Sequence, residues 1–545
     1  VADVVYARYF NDVTSVALLK QAKLTAGVQD SVLALLKPRD LAYFLDLLIL
    51  IPALWAIRHK PRTQPGLGWA SRIALACICL LVGTNLVQAS TASLQERQPG
   101  LIKAFWDKQV VAHNIGTLNF HAIDLWRYVK RQVAYTPLPQ DEQTAIAAWF
   151  EDEAAVAGKK HYQNAMQGKN LIMVQLEAFQ GFVLNLRIDG EEVTPNLNRL
   201  AKQSLTFNNA YYQTAMGGTS DAEFLANVSL FPAKNGTAYY EYAANSFQSL
   251  PLAAKEKGYT TAVMHPFRPG FWNRPPMYAA LGFDTYLNEQ DFELDEVFGM
   301  GLADNSFYRQ AVAKMQEMPQ PFYTFLISLS SHFPFTDPNV DLTDRLDVGE
   351  FAGTLMGNYL QNVHYADEAV GLLIDELKAA GLWDNSIVVF YGDHAAIPQG
   401  NSQQLAQLLY GKDELDQQEW QLAQKVVMMM HFPGNRLQGK QDLAVGQIDL
   451  FPTLANLLGF SCDYALGQDL LNAETGFVCF RDGSWLNDEV IYLRAAGEVK
   501  NLRTGKELPL ADYRTNIAMA EERLHISDKT LEHDLIQLWL GEAGD

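Results

Sequence analysis

From Lys169 onward the chain alternates short, strongly apolar runs with amphipathic stretches of helical period, and this alternation restricts the fold more than any other feature. The runs are LIMVQL, TTAVMH, FYTFLIS, SIVVFYG and KVVMMMHF. Strands buried on both faces read as continuous apolar runs, because neither side of the pleat meets water. Strands interleaved with helices argue for an α/β domain with a largely parallel central sheet.

A chain of 545 residues is too long for one hydrophobic core, so more than one structural unit is expected. The balance of 42 Lys and Arg against 62 Asp and Glu gives a net charge of −20. A general nucleic-acid-binding surface is excluded on that charge. An anionic substrate must instead be held by a few local cations or a metal, against the field of the whole protein. The four cysteines, Cys77, Cys79, Cys462 and Cys479, show no zinc-ribbon spacing. Cys77 and Cys79 sit in an apolar run as small hydrophobes. Cys462 and Cys479 are close enough in sequence to bridge in an oxidising compartment, and a disulfide is expected there.

Residues 41–57 and 73–89 are nearly all apolar, with Asp46 and Pro52 the exceptions in the first run. Each approaches the roughly 20 residues needed to cross a bilayer. The loop between them carries Arg58, Lys60, Arg62 and Arg72, which marks a cytoplasmic loop and puts everything after Ser90 outside the cell. The sequence opens at Val1 without signal-peptide features, as expected of a fragment or a processed piece. The expected organisation is the end of a transmembrane domain (1–95), a juxtamembrane helical linker (96–168) and an extracellular catalytic domain with C-terminal helices (169–545). Phe105, Trp106, Leu118, Phe120, Leu125 and Trp126 are the expected anchors of the linker, and SDKTLEHDL is expected to open a capped terminal helix.

Two of the apolar runs end in metal-ligand residue types. LIMVQL leads into Glu177, and SIVVFYG leads into Asp393 and His394. Ligands in open α/β sheets gather at the carboxyl ends of strands, so these residues can meet although they lie far apart in sequence. A third element is MGGTSDAEF, where Ser220 followed by Glu223 fits a capping box and predicts a helix start. Thr219 would then stand just ahead of that helix, with Gly217 and Gly218 letting a substrate approach the backbone. The first helical N–H groups favour a phosphate or sulfate there. A threonine hydroxyl needs a base or a metal to attack such an anion. Glu177, Asp393 and His394, with Thr219 as a fourth donor, form a carboxylate, imidazole and hydroxyl shell that suits Mn²⁺ or Mg²⁺ and also admits Zn²⁺.

The segments NLIMVQLEAFQGF, GGTSDAEF, FWNRPPMYAALGF, SHFPF, YGDHAAI and GQIDLFPTLANLLG, in this order, resemble the lipoteichoic acid synthase family. The resemblance spans roughly residues 98–540, and the two apolar runs resemble the last of that family's five transmembrane helices. It implies an alkaline phosphatase (sulfatase)-like extracellular domain on a multi-pass membrane anchor. It also implies a transferase that builds polyglycerolphosphate for the cell wall from phosphatidylglycerol, with a glycolipid or glycerolphosphate chain as acceptor. Carried over by position, Thr219 is the nucleophile, Glu177, Thr219, Asp393 and His394 bind manganese, and His265, Trp272, Arg274 and His332 contact the glycerophosphate group. The alternatives are another phosphoglycerol or phosphoethanolamine transferase of the same fold, or a sulfatase-like hydrolase. The last is disfavoured because Thr219 stands where a Cys or Ser would mature to formylglycine.

Overall fold

The computed structural model describes residues 3–4, 8, 13–16, 37–59, 68–98, 100–105, 107–134, 136–156, 160–337, 340–343 and 345–542. Val1, Lys60, Arg62 and Trp106 lie outside the described residues. The chain forms two compact units, one of residues 1–136 with 269–273, the other of 137–268 with 274–545. The stretch 96–168, expected as one linker, is divided between them.

In the first unit a 3-10 turn (Pro38–Phe44) leads into α1 (Leu45–His59), which contains Pro52. Its fifteen residues rise about 22 Å, less than the hydrocarbon thickness of a bilayer. Helix α2 (Trp69–Arg97) has 29 residues, enough for about 43 Å. Among the described residues it is the one helix both long and apolar enough to cross a membrane. Ile73, Ile78, Leu80, Leu81 and Leu86 on it are each more than half exposed. Asp107 caps α3 (Lys108–Ile115) by accepting from Val110 N at 2.9 Å, and α4 (Thr117–Ala134) follows. Phe105 and Phe120 are buried against each other at 5.5 Å, as expected of anchors. Leu118, Leu125 and Trp126 are exposed instead, because α4 turns Phe120 and Asp124 inward and leaves these three on the opposite stripe.

The second unit opens with α5 (Gln140–Val156). Its strands are β1 (Asn170–Leu176), β2 (Leu205–Tyr211), β3 (Thr260–Met264), β4 (Thr285–Leu287), β5 (Phe322–Ile327), β6 (Ser386–Gly392), β7 (Met428–His431) and β8 (Gly439–Gly446). They form one sheet in the order β8, β2, β7, β6, β1, β5, β3, β4. Only β7 runs antiparallel to its neighbours. The sheet is therefore mostly parallel, as the apolar runs predict. Ile172, Val174 and Leu176 of β1 share a core with Met356, Tyr359 and Val363 of helix Leu355–Ala379. The opposite face of the sheet meets helix α6 (Thr219–Val228): Gln175 of β1 reaches Thr219 O at 3.1 Å, and Tyr323 OH of β5 donates to Asn227 at 2.6 Å.

A second sheet, not foreseen from the sequence, is wholly antiparallel: β9 (Phe477–Cys479), β10 (Trp485–Asn487), β11 (Val490–Leu493), β12 (Glu498–Asn501) and β13 (Glu507–Leu508). The expected disulfide is corrected here, for Cys462 and Cys479 are free thiols. Cys479 ends β9 opposite Trp485, with its sulfur 3.7 Å from Ala520 O. The expected cap in SDKTLEHDL is also corrected. Ser527 lies within the helix Arg514–Glu532, and its hydroxyl accepts from Phe231 N at 2.9 Å, so it ties a loop to the helix side.

Candidate active site

Strands β1 and β6 are adjacent, parallel and in register, with Leu176 opposite Gly392. The residues that follow, Glu177 and Asp393, therefore leave the carboxyl edge of the sheet side by side. Gly392 is required at this point because a Cβ there would lie 2.2 Å from the carbonyl oxygen of Phe179. Glu177 is fixed through its backbone: its N–H donates to Ser328 Oγ at 2.9 Å, and its carbonyl accepts from Ser331 Oγ at 2.6 Å. Asp393 Oδ1 accepts from Ala178 N and His394 N, both at 2.7 Å. The other oxygen, Asp393 Oδ2, is buried and accepts no hydrogen bond among the described residues.

Thr219 is the first residue of α6, and the capping-box expectation is corrected. The N-cap is Gly218, at φ +47°, a conformation that favours glycine. Ser220 lies inside the helix and donates back to Gly217 O at 2.9 Å. Gln175 holds the Thr219 carbonyl and is itself held by Tyr391 OH at 2.6 Å. The Thr219 hydroxyl sits 3.3 Å from Glu177 Oε2 and 3.4 Å from His394 Nε2. His394 Nδ1 lies 3.0 Å from Ala395 O, which assigns it the proton and leaves the Nε2 lone pair facing the carboxylates. That nitrogen is 3.3 Å from Asp393 Oδ2 and 3.6 Å from Glu177 Oε1.

Burial and the Glu177 charge push the Asp393 carboxyl up to about 8. Burial disfavours the charged His394 ring, but Asp393 and Glu177 outweigh it and raise its pKa. Such mutual strain among buried like-charged carboxylates is relieved by a cation. Ligand atoms of Glu177, Asp393 and His394 lie within 4.8 Å of one another, and the orphaned Asp393 Oδ2 points to the same need. The residues present fit a divalent metal ion.

Arg274, at the start of α7 (Arg274–Leu281), is buried, and its Nε and Nη2 donate to Glu223 Oε1 at 3.1 and 2.7 Å. Glu223 Oε2 accepts from Tyr278 OH at 2.6 Å. Burial opposes the guanidinium charge, and Glu223 more than restores it. The residue that sequence grammar assigned to a cap is thus the counter-charge of Arg274. The available signal was the apolar length of SDAEFLANV, since a carboxylate buried in such a helix has to be paired. His265 is buried with Nδ1 at 3.0 Å from Ile327 O, and burial followed by Arg274 holds its pKa well below the usual value. His332, half-buried, has Nδ1 2.6 Å from Phe333 O, and burial lowers its pKa while His394, Asp393 and Arg274 act on it electrostatically. Glu177, Thr219, Asp393 and His394 therefore meet; His332 interacts electrostatically with Asp393 and His394 and with Arg274, and Arg274 in turn with His265. Trp272 belongs to the segment Pro269–Asn273 of the first unit, buried at φ +60° with its ring 5.7 Å from Phe271.

Fold and site define a sulfatase-like metalloenzyme, and the sulfatase family model matches residues 169–460. The model for the lipoteichoic acid synthase N-terminal domain matches residues 1–136. Lipoteichoic acid synthase 2 of Bacillus subtilis (strain 168) is 33% identical over 99% of this chain and 82% of its own length. The lipoteichoic acid synthase of Staphylococcus saprophyticus is 29% identical over 99% of this chain and 83% of its own. The crystal structure of the lipoteichoic acid synthase LtaP from Listeria monocytogenes superposes with a TM-score of 0.65 at 30% identity, covering 70% of this chain and 98% of that one. The chain belongs to the lipoteichoic acid synthase family and is a sulfatase-fold phosphoglycerol transferase. The matched N-terminal domain and the apolar helix α2 fit a membrane anchor.

Proposed function

We propose that the protein transfers the glycerophosphoryl group of phosphatidylglycerol to a glycolipid or a growing glycerolphosphate chain, through a covalent intermediate on Thr219. The observation that carries this reading is the Thr219 hydroxyl at a helix N-terminus, 3.3 Å from Glu177 and 3.4 Å from His394. In the first step Thr219 Oγ1 bonds to phosphorus and the bond from phosphorus to the diacylglycerol oxygen breaks. The threonine proton is lost, and the departing alkoxide gains one. In the second step the acceptor hydroxyl attacks, and Thr219 Oγ1 leaves with a proton. The helix N–H groups and dipole stabilise the anionic ester.

Glu177, Thr219, Asp393 and His394 would hold Mn²⁺, with Mg²⁺ as the alternative, and the bound ion would lower the hydroxyl pKa and polarise the phosphoryl group. Arg274, anchored by Glu223, supplies positive charge to the phosphoryl oxygens. His332, which burial keeps neutral, is suited to take the proton of an attacking hydroxyl and return it to a leaving one. The family resemblance adds His265 and Trp272 as glycerophosphate contacts. The membrane anchor is read as multi-pass with the catalytic unit extracellular, which raises the concentration of lipid headgroups around the site. The test is to incubate detergent-solubilised protein with phosphatidylglycerol and Mn²⁺, measure diacylglycerol, and examine the Thr219 peptide by mass spectrometry. A glycerophosphoryl adduct without acceptor is expected. Turnover with no adduct, together with an active Thr219→Ala variant, would favour direct attack by the acceptor.

A further inference from the structure

A cleft of about 370 Å³ lies beside the site, with Tyr212, Phe333, Ala395, Gln399, Trp420 and Gln424 in its walls. It is joined to the reacting centre at two points, because Phe333 follows His332 and Ala395 follows His394. The carbonyls of those two wall residues lie 2.6 and 3.0 Å from the respective histidine Nδ1 atoms. Its far wall is pre-organised: Tyr212 OH donates to Gln424 Oε1 at 3.0 Å, and Gln424 Nε2 donates to Trp420 O at 2.9 Å. Phe333 and Gln399 are exposed at the rim. Among the described residues that line the cleft, none carries a charge.

We propose that this cleft seats the neutral sugar of a glycolipid acceptor during the second half of the reaction, an inference that rests on the transferase reading above. Three aromatic side chains offer faces and edges for the C–H surface of a pyranose ring, and the exposed amide of Gln399 can serve its hydroxyls, while Gln424 is committed to holding Tyr212 and Trp420 in place. The volume falls in the range of small-molecule sites. A growing glycerolphosphate chain would place anions against walls that hold no cation, in a protein of net charge −20. The cleft therefore favours placing a first glycerophosphoryl unit on a sugar over extending an anionic chain. In that step a sugar hydroxyl oxygen bonds to phosphorus, the bond between phosphorus and Thr219 Oγ1 breaks, and the sugar's proton ends on Thr219 Oγ1 with no change of oxidation state.

The experiment uses the full chain in detergent with phosphatidylglycerol and Mn²⁺. Acceptors are a neutral alkyl dihexoside and glycerol phosphate, and diacylglycerol release without acceptor is followed in parallel. Trp420→Ala should raise the KM for the dihexoside by about tenfold or more while donor KM and acceptor-free release stay unchanged. Phe333→Ala, at a half-exposed position that folding tolerates, should act in the same direction. Gln399→Lys, at the exposed rim, should lower the KM for glycerol phosphate several-fold. Unchanged dihexoside KM in both aromatic variants, with acceptor-free release intact, would overturn the cleft assignment alone. A donor KM that rises in step would assign the cleft to the donor lipid and overturn it equally. Absence of diacylglycerol release by the unaltered protein would sink the transferase reading and this inference with it.

Discussion

Thr219 brings one hydroxyl and one methyl to the site, and the hydroxyl's contacts, at 3.3 and 3.4 Å, are long. Replacing it should cost little stability and most of the chemistry. Thr219→Ala is expected to reduce diacylglycerol release by on the order of a thousandfold or more, the scale of losing a nucleophile, with an unfolding midpoint near that of the parent. Thr219→Ser keeps the hydroxyl and should retain measurable turnover. Glu223 behaves oppositely, since its whole carboxylate is committed to Arg274 and Tyr278. Glu223→Ala leaves a buried guanidinium uncompensated and should destabilise the protein by about 3–5 kcal/mol in a denaturant titration. Glu223→Gln keeps volume and one acceptor, so it should fold better while weakening donor use, because Arg274 is then less firmly placed. A wild-type donor KM in the Gln variant would remove Arg274 positioning from the mechanism.

At the level of elements, the site depends on two strands ending together, and Gly392 lets them do so. Gly392→Ala would set a Cβ 2.2 Å from a backbone oxygen that cannot swing aside, so β6 must shift against the turn after β1. The expected outcome is a loss of about 1–3 kcal/mol and at least tenfold weaker Mn²⁺ binding by titration calorimetry, since Asp393 is the next residue. What was legible in the sequence follows the same physics. β1, β5 and β6 lie in the sheet interior, buried on both faces, and announce themselves as apolar runs. β8 is an edge strand reading GKQDLAVG, and its neighbour β2 reads LTFNNAY; their polar positions hide them. The strands of the second sheet are two to four residues long, below what periodicity can reveal. Ser220 and Glu223 imitate a capping box two residues beyond the true N-cap of α6, because the backbone turns at Gly218. Compartment and spacing alone favour a Cys462–Cys479 bridge, but spacing says nothing of the direction of a side chain, and both thiols are free. Alkylation of unreduced, denatured protein should label both.

For the whole molecule, the division falls at residues 136 and 137, well past the end of the apolar runs. Texture could not place that boundary, because α5 reads as helically as the linker before it. Its allegiance is set by packing: Phe150 lies edge-on to Tyr464 and Trp539, and Glu142 meets His525 at 2.9 Å. A polypeptide of residues 137–545, which carries Pro269–Asn273 with it, should therefore fold as a soluble unit with a single cooperative transition. A polypeptide starting at residue 169 should lose the aromatic contacts of Phe150 and unfold at lower denaturant. The membrane reading is tested on the intact cell. Helix α2 presents apolar side chains that no described residue covers, and the basic residues Arg58 and Arg72 flank the loop before it. If that loop faces the cytoplasm, the chain after α2 emerges outside. Protease added to intact cells should then release a fragment that starts beyond the end of α2, after about Arg97, and keeps donor turnover in detergent. The released fragment should act more weakly on vesicles than the anchored enzyme, because the anchor no longer concentrates lipid headgroups at the site. Protection of the catalytic unit until lysis would place it in the cytoplasm, and the acceptor would then have to be found on that side.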